Sequence, residues 1–169
     1  KLKNIYAPPA KLYLLGDEKI LNMPSIAIIG CRQASDYGKR VAFSFAYELA
    51  KKGIVIISGL ARGIDTYSHL GAVKANGKTV AVLGSGFGNI YPPENKGLCK
   101  EIIQKGGAII TEYEMQAKPE KEHFPVRNRL ISGLSNGVLV VEAKDKSATW
   151  ITVDNALGRG IELFIITGN

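Results

Sequence analysis

Cysteine is scarce in this 169-residue chain: Cys31 and Cys99 stand alone, with no Cys-x-x-Cys pair. That excludes a cysteine-built metal cluster and a disulfide framework, and it fits a reducing, cytoplasmic setting. Histidine is equally sparse, with His69 and His123 alone, and no His/Glu pair of the zinc-enzyme type occurs. No apolar run exceeds strand length, so no stretch reads as a membrane span. The first fifteen residues, KLKNIYAPPAKLYLL, are broken by Pro8, Pro9 and lysines, and do not read as a secretory leader. No nucleophile, base and oxyanion hole can be assembled from the remaining groups, so no catalytic residue, metal or cofactor is expected.

What remains is ordinary for a globular protein: 46% hydrophobic and 22% charged residues, in a length that suits one α/β core rather than two domains. The charge is unevenly spread. Residues 1–85 carry 12 Lys/Arg against 5 Asp/Glu, whereas residues 86–169 carry 10 of each, so the whole net charge of +7 lies in the first half. Two readings fit: a face that attracts an anionic partner, or a solvated lysine-rich surface.

Strands and helices alternate along the chain. After a short entry segment (12–17), IAIIG (26–30), IVIISG (54–59), TVAVLG (79–84), AIITEY (108–113), GVLVVEA (137–143) and ELFIIT (162–167) read as strands. Between the first two, Ser35 caps a helix in which Tyr37, Val41, Phe45 and Leu49 recur at four-residue spacing, and Gly53 ends it. A helix from Ile64 closes at Gly77, another carries Leu98 and Ile102, one starts at Pro125, and the last runs through SATWITVDNALGRG. Near-continuous β-branched strands separated by single helices predict a doubly wound α/β fold, its mainly parallel sheet covered by helices on both faces.

In such sheets ligands gather at the turns beyond the carboxyl ends of the strands. Those turns hold Gly30-Cys31-Arg32; Ser58, Gly59, Arg62 and Gly63; the loop GSGFGN (84–89); Lys118, Lys121, Phe124, Arg127, Asn128 and Arg129; and Lys144, Lys146, Ser147 and Thr149. Cations recur beside glycines and helix starts, the chemistry of phosphate capture, and several such turns on one edge suit a ligand with many phosphates. Phe124, between Lys121 and Arg127, fits either a ring on which bases stack or a core anchor for its helix. Asp65 reads as a helix cap, His69 as a structural histidine, and Glu112 and Glu142 as partners for arginines. Two decoys fail on spacing. GSGFGN lacks the dinucleotide pattern, and GAVKANGKT has five residues between Gly71 and Gly77 where a phosphate loop has four.

Long strings in this sequence resemble the bacterial DNA-processing protein A (Smf) family: GCRQASDYG, SGLARGIDTYSHLGAV, GSGFGNIYPPEN, GGAIITEY, FPVRNRLISGLSNGVLVVEA and FIITG. The resemblance covers nearly the whole chain. It implies an extended Rossmann-like core that binds single-stranded DNA without sequence preference and has no catalytic activity. It further implies protection of incoming DNA in natural transformation, help in loading the RecA recombinase, and a cytoplasmic homodimer. By position, Gly30, Arg32 and Arg62 would contact the strand, with Ser58, Gly59, Gly63, Lys144 and Thr149 in the same turns. Lys121 and Phe124 would engage bases, while Arg127, Asn128 and Arg129 would hold phosphates or brace the pocket. Cys31, Gly88 and Ser147-Ala148-Thr149 depart from the family pattern. The 169 residues would be a single DNA-binding core without the family's upstream helical domain and downstream winged helix. A nucleotide-acting alternative, the nucleoside-monophosphate phosphoribohydrolases, carries a Pro-Gly-Gly-x-Gly-Thr turn that is not found here.

Overall fold

Residues whose neighbours on both faces are apolar leave no alternation in the sequence, and the expected strands follow those runs. The computed structural model describes residues 1–144 and 147–166; Lys146 and Thr167, named above, lie outside them. Its strands are β1 (Tyr13–Gly16), β2 (Ser25–Gly30), β3 (Val55–Ser58), β4 (Thr79–Val82), β5 (Ala108–Thr111), β6 (Gly137–Val141) and β7 (Glu162–Ile166). The helices are α1 (Asp36–Lys51), α2 (Ile64–Lys74), α3 (Lys96–Gln104), α4 (His123–Leu134) and α5 (Thr149–Leu157).

The sheet order is β1-β5-β4-β3-β2-β6-β7, and every pairing is parallel except β1 against β5. The entry segment is therefore a strand: Tyr13 and Leu14 register with Thr111 and Ile110 along the sheet edge. Successive strand residues face opposite layers. Ala27, Ile29, Val138 and Val140 pack with Leu130, Ile131 and Leu134 of α4 and Val153 of α5. On the other face Ile28, Ile56, Leu139 and Val141 meet α1 and α2, while Ala81, Leu83 and Ile109 meet α2 and α3.

Two local expectations shift. The buried stripe of α1 is Gly38, Ala42, Ala46 and Ala50, small residues that admit close packing, while Tyr37 and Phe45 are 45% and 42% exposed. Helix α4 starts at His123, two residues before Pro125, which sits in its first turn where a missing N–H costs nothing. The Ser35 cap is as expected: its Oγ accepts from the Gly38 N–H at 3.0 Å.

The chain leaves β2 in one direction through β3, β4 and β5, then returns to β2's other side with β6. That reversal opens a crevice beyond the carboxyl ends of β2 and β6.

Candidate nucleic-acid interface

A cleft of about 720 Å³ lies at this switch point. The turn after β2 supplies Gly30, Arg32 and Gln33; the turn after β6 supplies Lys144 and Ser147; Thr149 opens α5; and the approach to α4 brings Lys121 and Phe124. Eight of the thirteen expected site residues line it: Gly30, Arg32, Lys121, Phe124, Arg127, Asn128, Lys144 and Thr149. Ser58, Gly59, Arg62, Gly63 and Arg129 do not.

In a doubly wound fold, phosphate is commonly taken by amides at the first βα turns. Here two of those positions are filled by the protein's own acids. Glu142, at φ +56° beyond β6, turns its carboxylate onto the start of α1. Its two oxygens accept the Ser35 N–H at 3.0 Å each, and Oε2 accepts the Ser35 hydroxyl at 2.8 Å. A non-glycine residue in this left-handed region costs roughly 1–3 kcal/mol, which the capping bonds offset. Glu142 therefore partners a helix N-terminus rather than the arginine expected for it. At the second turn the buried Asp65 reaches back, and its Oδ2 accepts the Gly59 and Ala61 N–H groups at 3.1 and 3.3 Å. Burial raises its pKa, opposed by the nearby Arg127 charge.

The arginines at the start of α4 do different work. Arg127 is 3% exposed at the cleft floor. Its Nη1 donates to the carbonyls of Gly59, at 2.7 Å, and Val82, and its Nε donates to Asn128 Oδ1 at 3.1 Å. Burial lowers its pKa to about 10. A Cβ on Gly59 would stand 2.7 Å from the guanidinium, so only glycine admits this packing. Asn128 in turn donates to Ala148 O at 3.0 Å, tying α4 to α5. Arg129 points away from the cleft, where Nη2 and Nη1 meet the Glu112 carboxylate at 2.8 and 3.1 Å. That acid–arginine pairing was expected from the sequence.

Around Phe124 the cleft has the character of a stacking site. The ring lies against Gly84, where an added Cβ would be 3.0 Å from it. The Arg32 guanidinium sits 5.1 Å from its centroid and that of Arg127 5.7 Å. The Tyr91 ring, 5.7 Å away and tilted by 56°, widens the aromatic surface. Tyr91 also faces Arg62, whose Nη1 donates to its hydroxyl at 3.4 Å and whose Nη2 donates to Glu94 Oε2 at 3.2 Å. Arg62 and Glu94 remain about half exposed. Sequence reasoning missed Tyr91 and Glu94; the aromatic ahead of two prolines in the loop IYPPEN was the available signal.

Of the remaining expected residues, Ser58 and Gly63 are structural in placement, whereas Lys121 and Lys144 face the cleft. The Ser58 hydroxyl is buried and donates to Ile28 O at 2.7 Å. Gly63, at φ +77°, lies against the carbonyls of Cys31 and Arg32. Lys144 Nζ donates to Gln33 Oε1 at 3.3 Å across the cleft mouth, and Lys121 is exposed on its wall. His69 is fully buried: Thr79 gives its proton to Ile56 O, so His69 donates from Nδ1 to Thr79 Oγ1 at 2.7 Å. The His123 ring stacks on Tyr113 at 3.9 Å, Nδ1 donates to Gly84 O at 3.0 Å, and Nε2 stands 3.9 Å from the Glu120 carboxylate. Gly133-Leu134-Ser135-Asn136-Gly137 has the spacing of a hydrolase elbow, but it runs from helix to strand, and the buried Ser135 hydroxyl is spent on Ile131 O at 2.7 Å. No cluster of metal-ligating groups occurs among the described residues, and no helix there is long and apolar enough to cross a membrane.

Known proteins share both sequence and fold. The sequence profile of DNA recombination-mediator protein A matches residues 1–169. DNA processing protein DprA of Bacillus subtilis is 46% identical over 169 residues, 99% of this chain and 57% of that protein. The X-ray structure of DNA processing protein A from Streptococcus pneumoniae superposes with a TM-score of 0.92 at 39% identity, over 99% of this chain and 59% of that one. The Helicobacter pylori DNA processing protein A, whose structure is described for its single-stranded DNA binding mode, gives 0.92 at 36% identity, over 99% and 77%. The chain spans about half the length of the curated relatives it matches. On the profile and these identities, the chain belongs to the DNA recombination-mediator protein A family.

Proposed function

We propose that this chain binds single-stranded DNA without sequence preference in the switch-point cleft. The observation that carries the reading is the Phe124–Tyr91 aromatic surface set between Arg32, Lys121 and Lys144, on an edge whose backbone anion positions are already filled by Glu142 and Asp65. Bases stack on rings whatever their identity, and exposed cations follow the backbone. The likeness to a relative described by its single-stranded DNA binding mode supports the same reading. Arg32, Lys121, Lys144 and the rim residue Arg62 meet phosphates, and Arg127 with Asn128 braces the floor. The chain does no chemistry in this role. It acts as the core of a cytoplasmic homodimer that guards incoming strands during natural transformation and helps load the RecA recombinase.

The alternative, a nucleotide-cleaving enzyme, gains no support at the first helix start, where the Glu142 carboxylate already takes the Ser35 N–H and hydroxyl. Incubation with AMP should release no free base.

Titration of fluorescent oligo-dT at several salt concentrations tests the main reading. With about four to six phosphates engaged, log K against log salt should slope near −3 to −4, at roughly −0.7 per contact. Arg32→Ala and Lys121→Ala should each flatten it by about 0.7, and Phe124→Ala should cost about 1–3 kcal/mol of binding. Absence of binding at low salt would refute the assignment.

A further inference from the structure

The cleft does not use up the basic surplus of the first half of the chain. Of those side chains Arg32 lines it and Arg62 stands at its rim, whereas Lys39, Arg40 and Lys51 lie on α1. Lys39, Phe43, Tyr47 and Lys51 recur at four-residue intervals, which places them on one face of the helix. The rings of Phe43 and Tyr47 stack, with centroids 6.2 Å apart and planes 16° from parallel. Lys51 Nζ stands 5.5 Å from the Tyr47 centroid, and Lys39 Nζ 5.9 Å from that of Tyr67 on α2. Beside the stripe a groove of about 340 Å³ runs between α1 and α2, lined by Asp36, Lys39, Arg40, Phe43, Ser44 and Tyr67. Arg40 is exposed and makes no hydrogen bond or ion pair among the described residues.

Cleft and groove are neighbours. Gln33 lines the first and Asp36, three residues on, lines the second. The start of α2 rests on the carbonyls of Cys31 and Arg32, and Tyr67 lies one turn further along it, a rise of about 5.4 Å.

We infer that the α1–α2 groove is a second platform for the same single strand, which leaves the cleft past Arg32 and runs along Lys39, Phe43, Tyr47 and Lys51. The charge is complementary: of the groove's own residues Lys39 pairs with Asp36 at 3.4 Å, which leaves Arg40 as the surplus cation, and the exposed Lys51 continues the positive stripe beyond the groove. Half-buried rings between cations form a sequence-tolerant surface for bases and phosphates. This inference rests on the cleft as a single-strand site.

The test compares oligo-dT of about 6 nucleotides, enough for the cleft, with one of about 20, longer than a single site of about 4–16 nucleotides covers. Arg40→Gln/Lys51→Gln changes two exposed positions; it should leave the short strand unaffected and flatten the salt slope of the long one by about 1.4, two phosphates' worth. Tyr47→Leu should weaken the long strand alone by about fivefold or more. Either variant holding the long strand as tightly as the parent, or a parent that binds both lengths equally well, would overturn the platform and leave the cleft standing. Phe124→Ala separates the readings: it should weaken both lengths, and if it weakens neither while the α1 variants weaken the long one, the cleft assignment fails and the groove is the primary site. A parent that binds neither length removes both.

Discussion

Arg127→Met is the substitution that best separates a bracing residue from a phosphate ligand. The methionine retains much of the side-chain volume but removes the donors that hold Gly59 O, Val82 O and Asn128 Oδ1, all at a site 3% exposed. Each buried acceptor left unpaired costs about 1–3 kcal/mol. The change also withdraws the positive charge that opposes the burial of Asp65. Losing one member of a buried charge set costs about 3–5 kcal/mol. We therefore expect urea unfolding to show a loss of about 3–5 kcal/mol, with the melting temperature lower by about 6–20 °C for a chain of this size. Out of a total of about 5–15 kcal/mol that is a large share, yet it leaves a folded population at low temperature.

The pH dependence carries a sign that tests the mechanism. Without Arg127, the Asp65 pKa rises further above its unfolded value. The folded variant then binds a proton at pH values where the unfolded chain does not, so its stability falls as pH rises through that window. The gap between variant and parent should thus narrow as the pH drops from 7 to 5. Adding Asp65→Asn should recover part of the loss. Oligo-dT binding of the folded variant should keep its salt slope. A variant as stable as the parent, with a slope flattened by about 0.7, would show that Arg127 holds a phosphate and would refute the bracing role.

Glu94→Gln should release Arg62 from its carboxylate partner, tighten oligo-dT binding at low salt and steepen the salt slope by about 0.7; weaker binding would mean that Glu94 positions Arg62. His69 has its pKa lowered to about 3 by burial. Below pH 6.5 the unfolded chain takes a proton that the folded one refuses, so stability should fall by about 2 kcal/mol from pH 7 to 5. His69→Gln should abolish that component of the urea titration, and an unchanged profile would refute it. Gly84→Ala should push on the Phe124 ring and weaken oligo-dT binding while far-UV circular dichroism stays unchanged; parental affinity would show that the ring's seat is not needed.

The sheet was legible because β2 to β6 are buried on both faces, so their apolar runs carry no competing pattern. β1 was not, since its four residues grade from half-buried to exposed at an antiparallel edge. The stripe chosen for α1 failed for a related reason. Alanine and glycine attract little notice in a hydrophobic pattern, yet they are the side chains short enough to lie on the sheet. The residues that line the cleft were legible by position: strand ends and glycine-flanked cations indicated the switch-point edge. Their partners were not. Arg129 meets Glu112 across 17 residues, Arg127 meets Gly59 across 68, and Glu142 meets Ser35 across 107. A carboxylate in one turn carries no local sign of which amide it will reach.

On the proposed function, those long-range carboxylates would let a fold suited to nucleotides favour a polymer. Amides at a helix start grip one phosphate at a fixed angle, which rewards a ligand with a defined shape. Here Glu142 takes the first such grip and Asp65 the second, each against N–H groups at 3.0–3.3 Å. An incoming phosphate would have to displace a covalently tethered anion, a competition that a free mononucleotide meets with no other contact to offset it. A strand would meet it differently, since Arg32, Lys121 and Lys144 set cations along the cleft and Phe124 with Tyr91 would offer rings to successive bases. Each such contact would be weak and tolerant of position, and binding would come from the sum over several nucleotides. On the function proposed here, Glu142 and Asp65 thus set ligand class without touching the ligand: they close the sites that recognise one phosphate and leave those that recognise many.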